Sequence, residues 1–135
     1  MIFIDSNVIV AYKNQDDEFH SQAVDLVRRL EDAEFGGGLI SDYNFSEILT
    51  VLLLRAGLKQ ATEVGDILLN SKNIEIARSD DLIFNKTYGI FRDQEKTKLS
   101  FVDCSNLAVM ELYGIRKIAT FDKEFKKIRK IQVIP

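Results

Sequence analysis

Short apolar runs alternate with segments of helical spacing along the chain, and this alternation limits the possible folds more than any other feature. Strands that alternate with helices build βαβ units, whose right-handed crossovers place helices on both faces of a parallel sheet. The sequence therefore predicts an α/β fold with a parallel sheet of about five strands, in a single domain over residues 1–135. The predicted strands are MIFI at the N-terminus, LIS at 39–41, IEIA at 74–77, KIAT at 117–120 and IQVI at 131–134.

Six helices are predicted between these strands. They span residues 6–12, 17–34, 42–55, 59–71, 79–96 and 101–113. Gly57 and Gly114 stand where the third and sixth helices end, in the position that glycine commonly takes after a helix. The glycines of FGGGL break the chain before the second strand. In the fifth helix, we expect Leu82, Ile83 and Phe91 on the apolar side.

The composition excludes several classes of site. Cys104 is the only cysteine and His20 the only histidine, so an intrachain disulfide is impossible and a zinc cluster of Cys and His is absent from the sequence. The apolar runs are far shorter than the roughly 20 residues that cross a bilayer. Asp5 interrupts the first apolar run and no basic segment precedes it, which argues against a signal peptide. We therefore expect a cytoplasmic protein.

Positive charge is concentrated near the C-terminus of an acidic chain. The net charge is −3, which by itself argues mildly against nucleic-acid binding, yet RKIATFDKEFKKIRK at 116–130 contains seven Lys or Arg and two acids, a net of +5. The rest of the chain then carries −8. This basic strip fits phosphate binding. A solvated helix face explains it equally well, so both interpretations stay open.

Acidic residues stand near the predicted strand ends. Asp5 follows the first strand and Asp122 follows the fourth, while Glu47 lies about two turns into the helix after the second. Asp103 begins the sixth helix. In open parallel sheets, sites form outside the carboxyl ends of the strands, where the strand order switches. We expect Asp5 and Asp122 to meet at this edge, with Glu47 and Asp103 reaching it from their helices.

Helix capping is the alternative explanation for each acid. Asp and Ser are common at helix N-termini, so Asp5 or Ser6 can simply cap the first helix. Asp122 can cap a short helix over 123–129. Two pairs have the spacing of a capping box, in which a cap residue and the residue three positions later bond each other's backbone. These pairs are Ser100 with Asp103, and Asn44 with Glu47.

The surroundings of the acids favour a joint role. Glu47 lies in FSEILTVLLL and Asp103 in SFVDCSNLAVM, both among apolar neighbours. A carboxylate in a mostly buried segment is costly unless it is paired, hydrogen-bonded or bound to metal, and the chain offers no matching set of buried bases. Carboxylates that meet without bases raise one another's pKa. A hard divalent cation removes that repulsion, and all-oxygen ligand sets suit Mg²⁺ or Mn²⁺.

The four acids lie in the segments FIDSNVIVAY, ISDYNFSEIL, LSFVDCSNLAVM and IATFDKEF. These segments resemble the four acidic motifs of PIN domains, in the order and with the spacing of that family. The resemblance covers the whole chain, and the family includes the small toxins of VapBC-type toxin–antitoxin pairs. It implies a three-layer α/β/α sandwich around a central parallel sheet. The activity that it implies is that of an endoribonuclease dependent on Mg²⁺ or Mn²⁺.

The resemblance also implies the roles of individual residues. The catalytic acids, which are also the implied metal ligands, are Asp5, Glu47, Asp103 and Asp122. The residues implied to support these acids or to contact the substrate are Ser6, Asn7, Thr120 and Lys123. One or two metal ions held by the acids would neutralise a phosphodiester and lower the pKa of a bound water. The expected products carry 5′-phosphate and 3′-hydroxyl ends.

The implied partners are RNA, an antitoxin protein and a second copy of the chain. The apolar helix around ILTVLLL and the segment 59–71 are a candidate dimer surface, although core packing explains them equally well. The alternative functions are those of a PIN-fold nuclease in RNA processing or repair and of a non-catalytic nucleic-acid-binding module. A phosphatase of the haloacid dehalogenase type would need a second Asp where Asn7 stands.

Overall fold

The computed structural model of the protein describes residues 1–134. Five strands form one sheet: β1 (Ile2–Ile4), β2 (Gly38–Ser41), β3 (Ile74–Ala77), β4 (Lys117–Ala119) and β5 (Gln132–Ile134). Their order across the sheet is β3-β2-β1-β4-β5, and all neighbouring pairs are parallel. The predicted parallel sheet of about five strands is confirmed. The strand order switches beside β1, which lies at the centre.

The connections are α1 (Ser6–Lys13), α2 (His20–Glu31), α3 (Asp42–Ala56), α4 (Leu58–Leu69), α5 (Asp81–Arg92), α6 (Phe101–Tyr113) and a 3₁₀ helix (Lys123–Lys127). Two helices are shorter than predicted. The Asp17 carboxylate accepts the N–H of Phe19 in a turn, so α2 begins only at His20. The Gln94 side chain bonds both backbone groups of Leu99 and holds the chain after α5 in a loop. None of the helices within residues 1–134 has the length and apolar character needed to span a membrane.

The sheet has an apolar core on each face, because side chains of successive strand residues point to opposite sides. Ile2 and Ile4 of β1 pack against side chains of α1, α2, α3 and α4. Phe3 of β1, Leu39 of β2 and Ile118 of β4 pack on the other face, against α5, α6 and the 3₁₀ helix. This arrangement is the expected three-layer α/β/α sandwich.

The buried side of α5 differs from the one expected from its apolar residues. Ile83 is buried, but Leu82 is 62% exposed and Phe91 is 43% exposed, so the expectation is wrong for these two. Thr87, one turn after Ile83, is also buried and donates its hydroxyl to the Ile83 carbonyl. Apolar side chains stand on both sides of this helix, so spacing alone did not identify the side that faces the sheet.

Gly38 marks a close approach between β2 and its neighbours. A Cβ at this position would lie 2.6 Å from Ile4 Cδ1 and 3.3 Å from Leu30 Cδ1, both in the core. We expect Gly38→Ala to lower the free energy of unfolding by about 1–3 kcal/mol, because the core would be overpacked. Gly89 in α5 has open space around an added Cβ. Gly89→Ala should therefore raise the free energy of unfolding, by about 1 kcal/mol at most. Urea unfolding measures both, and equal effects would contradict the close packing at Gly38.

The basic strip at 116–130 is not one helix face. It runs through β4 and then through the 3₁₀ helix, which is shorter than the predicted helix over 123–129. Phe125, in the middle of the 3₁₀ helix, is fully buried, whereas Lys123 and Lys126 are exposed. The buried ring therefore attaches a positively charged surface to the core directly after the end of β4.

Candidate active site

Asp5 is the first residue after β1, at the carboxyl edge of the sheet. Its backbone N–H donates to the Ala119 carbonyl at 3.0 Å, which continues the pairing of β1 with β4. Its side chain caps α1 by accepting the N–H of Ser6 at 2.8 Å. Only 3% of Asp5 is exposed. Strand and helix cap together hold a buried carboxylate at the switch in strand order, where sites form in sheets of this kind.

Neutral donors surround both oxygens of Asp5. Oδ2 accepts the Thr120 hydroxyl at 2.6 Å and Asn7 Nδ2 at 3.0 Å. Oδ1 accepts Asn106 Nδ2 at 3.3 Å, in addition to the Ser6 N–H. No basic side chain within residues 1–134 is among the groups that act on this carboxylate. Its charge is therefore stabilised by hydrogen bonds from neutral groups.

The pKa of Asp5 is raised from 3.8 to about 7, chiefly because the carboxyl is buried. The hydrogen bond from Thr120 lowers the pKa, while the negative charges of Asp103 and Glu47 add to the increase. Desolvation and neighbouring like charges both disfavour an ionised carboxyl. The structure therefore brings Asp103 and Glu47 within electrostatic reach of Asp5.

Glu47 is joined to Asp5 through a single hydroxyl. Ser6 Oγ donates to Glu47 Oε2 at 2.7 Å and lies 3.4 Å from Asp5 Oδ1. Glu47 is exposed, while the next residue, Ile48, is buried, so the argument from an apolar neighbourhood is wrong for Glu47. The predicted capping box of Asn44 with Glu47 is also wrong. Asn44 instead forms a capping box with Ser41, the residue before α3.

Asp103 lies in the first turn of α6 and is half-buried. Its Oδ2 accepts the N–H of Ser100 at 2.9 Å, and the Ser100 hydroxyl accepts the N–H of Asp103 at 3.1 Å. The predicted capping box is therefore confirmed. Burial raises the pKa of Asp103, the bonds from Ser100 lower it, and the charge of Asp122 raises it again. This carboxylate consequently links Asp122 electrostatically to Asp5.

Asp122 follows β4 and caps the 3₁₀ helix, because its Oδ1 accepts the N–H of Glu124 at 2.9 Å. Its own N–H donates to Thr120 Oγ1 at 3.0 Å. Thr120 thus contacts both the Asp5 carboxylate and the backbone of Asp122. Asp5, Asp103 and Asp122 all cap helices and all lie in one group of acids. A carboxylate has about four lone-pair sites and capping uses one of them, so in Asp103 and Asp122 capping leaves room for a further role.

An open cleft lies beside the acids, between α1, α3 and the loop that joins α1 to α2. Glu47, Val51 and Arg55 line it from α3. Phe19 and Phe121, which also line it, stack with ring centroids 4.5 Å apart. The loop contributes three acids to the lining, which are Asp16, Asp17 and Glu18. Two of the predicted acids, Glu47 and Asp122, therefore lie in the wall of this open cleft, whereas Asp5 and Asp103 are not part of its lining.

The residues expected to contact the substrate differ in accessibility. Ser6 and Asn7 line the cleft. Thr120 is buried and its hydroxyl donates to Asp5, which favours support of Asp5 over substrate contact. Lys123 is exposed and follows Asp122 directly, but it is not part of the cleft lining described here.

The donor set fits a hard divalent cation in its chemistry. It consists of carboxylate and amide oxygens, and a buried carboxylate without a basic partner lies at its centre. Within residues 1–134, no three Asp, Glu, His or Cys side chains are arranged to hold a metal ion. Mg²⁺, however, is commonly bound by one or two carboxylates, with water and substrate phosphates completing its shell. The carboxylate chemistry of Asp5 suits such an ion, but four donors already occupy its oxygens. A cation there would replace one of these donors, and the four-acid ligand set stays a prediction.

Asn106 is the residue of this site that the sequence analysis missed. It stands three residues after Asp103 on α6, is fully buried, and donates to Asp5. Its own Oδ1 has no hydrogen-bond partner in the described part of the chain. The spacing was the available signal, because residues three apart share one side of a helix. A neutral amide did not attract notice in a search for charged residues.

Comparison with known proteins gives consistent results. The family model of the PIN domain matches residues 2–131. The crystal structure of Mycobacterium tuberculosis VapC20, a sarcin–ricin loop cleaving toxin, is similar with a TM-score of 0.85 and 24% identity, covering 100% of both chains. VapBC2 of Rickettsia felis, bound to a DNA fragment from its promoter, has a TM-score of 0.72 and 16% identity, covering 99% of this chain and 98% of that one.

FitAcB of Neisseria gonorrhoeae is a third similar structure, with a TM-score of 0.69 and 17% identity over 100% of this chain and 97% of that one. No curated protein sequence matches the chain. At these identities, the similarity to solved structures establishes the three-layer fold and leaves residue roles to the geometry of the site.

Proposed function

The chain belongs to the PIN domain family, and on this premise we propose that it is a divalent-metal-dependent endoribonuclease that acts as the toxin of a VapBC-type toxin–antitoxin pair. The observation that carries the proposal is the buried Asp5 carboxylate. It lies at the switch in strand order, interacts with two further acids and has no basic partner among the residues that the structure describes. Maintaining such a carboxylate is costly, and the cost is explained if a cation and an anionic substrate meet there.

The proposed reaction is hydrolysis of a phosphodiester. Asp5 would hold a divalent cation, which when bound would supply positive charge to the phosphate and lower the pKa of a water molecule. Thr120 and Asn7 hold the Asp5 carboxylate in place. The Ser6 hydroxyl holds Glu47 at the cleft, where Glu47 accepts a proton from the attacking water. Water bonds to phosphorus, the P–O3′ bond breaks and O3′ takes a proton, which leaves 5′-phosphate and 3′-hydroxyl ends.

RNA is the proposed substrate, and its path is suggested by positive charge at two places. The exposed Lys123 and Lys126 follow Asp122, and Arg55 lines the cleft from α3. The other charged residues of the cleft lining are acids, which suit metal ions rather than phosphates. Contacts of Lys and Arg with phosphates weaken as salt rises, so we expect RNA affinity to fall steeply between low and physiological ionic strength.

Arg55 offers the sharpest test of this path. It stands eight residues after Glu47 on the same side of α3, roughly 12 Å farther along the cleft at 1.5 Å per residue. In an Asp5→Asn background that binds without cleaving, we expect Arg55→Ala to weaken single-stranded RNA binding by roughly three- to tenfold. The slope of log affinity against log salt should fall by about 0.7. Lys72→Ala is the control, because Lys72 precedes β3 at the opposite edge of the sheet, and equal losses in both variants would contradict the path.

An antitoxin and a second copy of the chain are the proposed protein partners. The similar structures include toxin–antitoxin complexes such as one from Klebsiella pneumoniae. On α3 and α4 the apolar residues divide: Ile48 and Leu52 are buried, while Leu54, Leu58 and Ile67 are exposed. Core packing thus accounts for the first group, and the second is the surface that we assign to a homodimer. Light scattering should give twice the monomer mass, and Leu54→Lys should halve it.

The toxin assignment is tested by brief expression in bacteria. We expect growth arrest and RNA fragments with new 5′-phosphate ends, and mapping these ends identifies the target. Asp5→Asn at equal expression should cause neither effect. Co-expression of the product of the neighbouring small open reading frame should restore growth. Growth arrest by the Asp5→Asn variant equal to that of the wild type would contradict the assignment.

A further inference from the structure

Asn106 connects α6 to the centre of the acidic group. It is fully buried, and its Nδ2 donates to Asp5 Oδ1 at 3.3 Å. It follows Asp103 by three residues, so one side of α6 presents both a carboxylate and an amide to the site. The neighbouring buried hydroxyl of Ser105 bonds only the carbonyl of Val102 within the helix. Asn106 is therefore distinguished from its neighbour by its contact with Asp5.

The other end of the Asn106 amide is unpaired. Its Oδ1 is buried and has no hydrogen-bond partner among residues 1–134, although buried polar atoms almost always have one. Rotating the amide by 180° does not help, because Oδ1 would then face the oxygen of Asp5 and Nδ2 would lose its acceptor. The contact with Asp5 therefore sets the orientation of the amide, and the unpaired oxygen is the cost of that contact.

We propose that Asn106 is a positioning residue for the metal centre: its amide nitrogen holds Asp5 in the orientation in which that carboxylate binds a divalent cation. This inference rests on the proposed function. Asn106 itself is fully buried, so it acts through Asp5 and does not contact the cation. A neutral amide also orients the carboxylate without adding a negative charge to a group that already contains Asp5, Glu47 and Asp103. A merely structural Asn106 would leave metal affinity unchanged.

The test is Mn²⁺ binding to the purified, RNA-free protein, measured by calorimetry or by the electron paramagnetic resonance signal of free Mn²⁺. Asn106→Leu keeps the volume of the side chain but removes both polar atoms. We expect its Mn²⁺ affinity to be lower by about 10- to 100-fold, the usual effect of losing a group that orients a metal ligand. Ser105→Ala is the control and should bind Mn²⁺ as the wild type does. Circular dichroism verifies that each variant is folded.

A second variant covers the case in which Asn106→Leu does not fold. Asn106→Ala removes the amide without placing a larger apolar side chain beside Asp5, and we expect it to bind Mn²⁺ more weakly than the wild type by a similar factor. Binding by folded Asn106→Leu or folded Asn106→Ala within twofold of the wild type would overturn the inference. If Asp5→Asn loses Mn²⁺ while Asn106→Leu does not, only this inference fails. If the wild type binds no Mn²⁺, the inference fails together with the proposed metal centre.

Discussion

Asp5→Asn is expected to abolish RNA cleavage, with a loss of at least about 10³-fold in rate, or about 4 kcal/mol of transition-state stabilisation. The reason is that Asp5 is the buried carboxylate on which the group of acids converges. Asparagine keeps the size of the side chain and can still accept the N–H of Ser6, so the fold should persist. The measurement is the initial rate of cleavage of total RNA with Mg²⁺, alongside circular dichroism of the variant.

A second site variant and a control variant test the same expectation of lost cleavage. Asp103→Asn should also reduce cleavage strongly, because its carboxylate links Asp122 to Asp5, while its amide oxygen can still cap α6. Asp66→Asn is the matched control, since Asp66 is exposed on α4 and outside the site. It should retain the wild-type rate. Undiminished cleavage by a folded Asp5→Asn/Asp103→Asn double variant would contradict the assigned site.

The stability of the metal-free protein should fall as pH rises from about 4 to about 7. The pKa of Asp5 is 3.8 in its ordinary state and about 7 in the folded protein, so the folded state holds a proton that the unfolded chain releases. The contribution of Asp5 to the free energy of unfolding is fully present below pH 4 and is lost as pH rises through 7. The loss is on the order of 4 kcal/mol by that difference in pKa.

Urea unfolding at pH 5 and pH 8 measures this dependence. Other carboxylates titrate as well, so the comparison is between the wild type and Asp5→Asn, which cannot titrate at this position. We expect a clearly smaller change with pH in Asp5→Asn. Mg²⁺ at 100 times its Kd should raise the free energy of unfolding of the wild type by about 2.7 kcal/mol at pH 8. It should change that of the variant little. Equal pH dependence in the two proteins would show that Asp5 is not buried in the acid form.

The sheet could be predicted from the sequence because each strand is a short apolar run beside helices of clear spacing. The ends of α2 and α5 could not, since they depend on side chains of Asp17 and Gln94 that bond nearby backbone. The sequence also did not predict that Leu82 and Phe91 point outward from the core. Their orientation is set by how α5 packs on the sheet and on α6, and this orientation is not encoded in the spacing of apolar residues.

The acids of the candidate site could be proposed from the sequence because carboxylates after strands are conspicuous there. Their surroundings were less predictable. Glu47 is exposed although its neighbours in the chain are apolar, because a helix places adjacent residues on different sides. Asn106 and the hydroxyl of Ser6 were not recognised as connecting groups, since neutral side chains acquire such roles only when segments distant in sequence meet. Capping and convergence were treated as alternatives, whereas Asp5 does both.

The most direct test of the central claim is the chemistry of RNA cleavage by the purified wild-type protein with Mg²⁺ and with EDTA. If a cation at Asp5 promotes attack by water, cleavage should occur with Mg²⁺ or Mn²⁺ and stop with EDTA. The new ends should be a 5′-phosphate, which permits ligation, and a 3′-hydroxyl. Cleavage that continues in EDTA, or products that end in a 2′,3′-cyclic phosphate, would contradict the account.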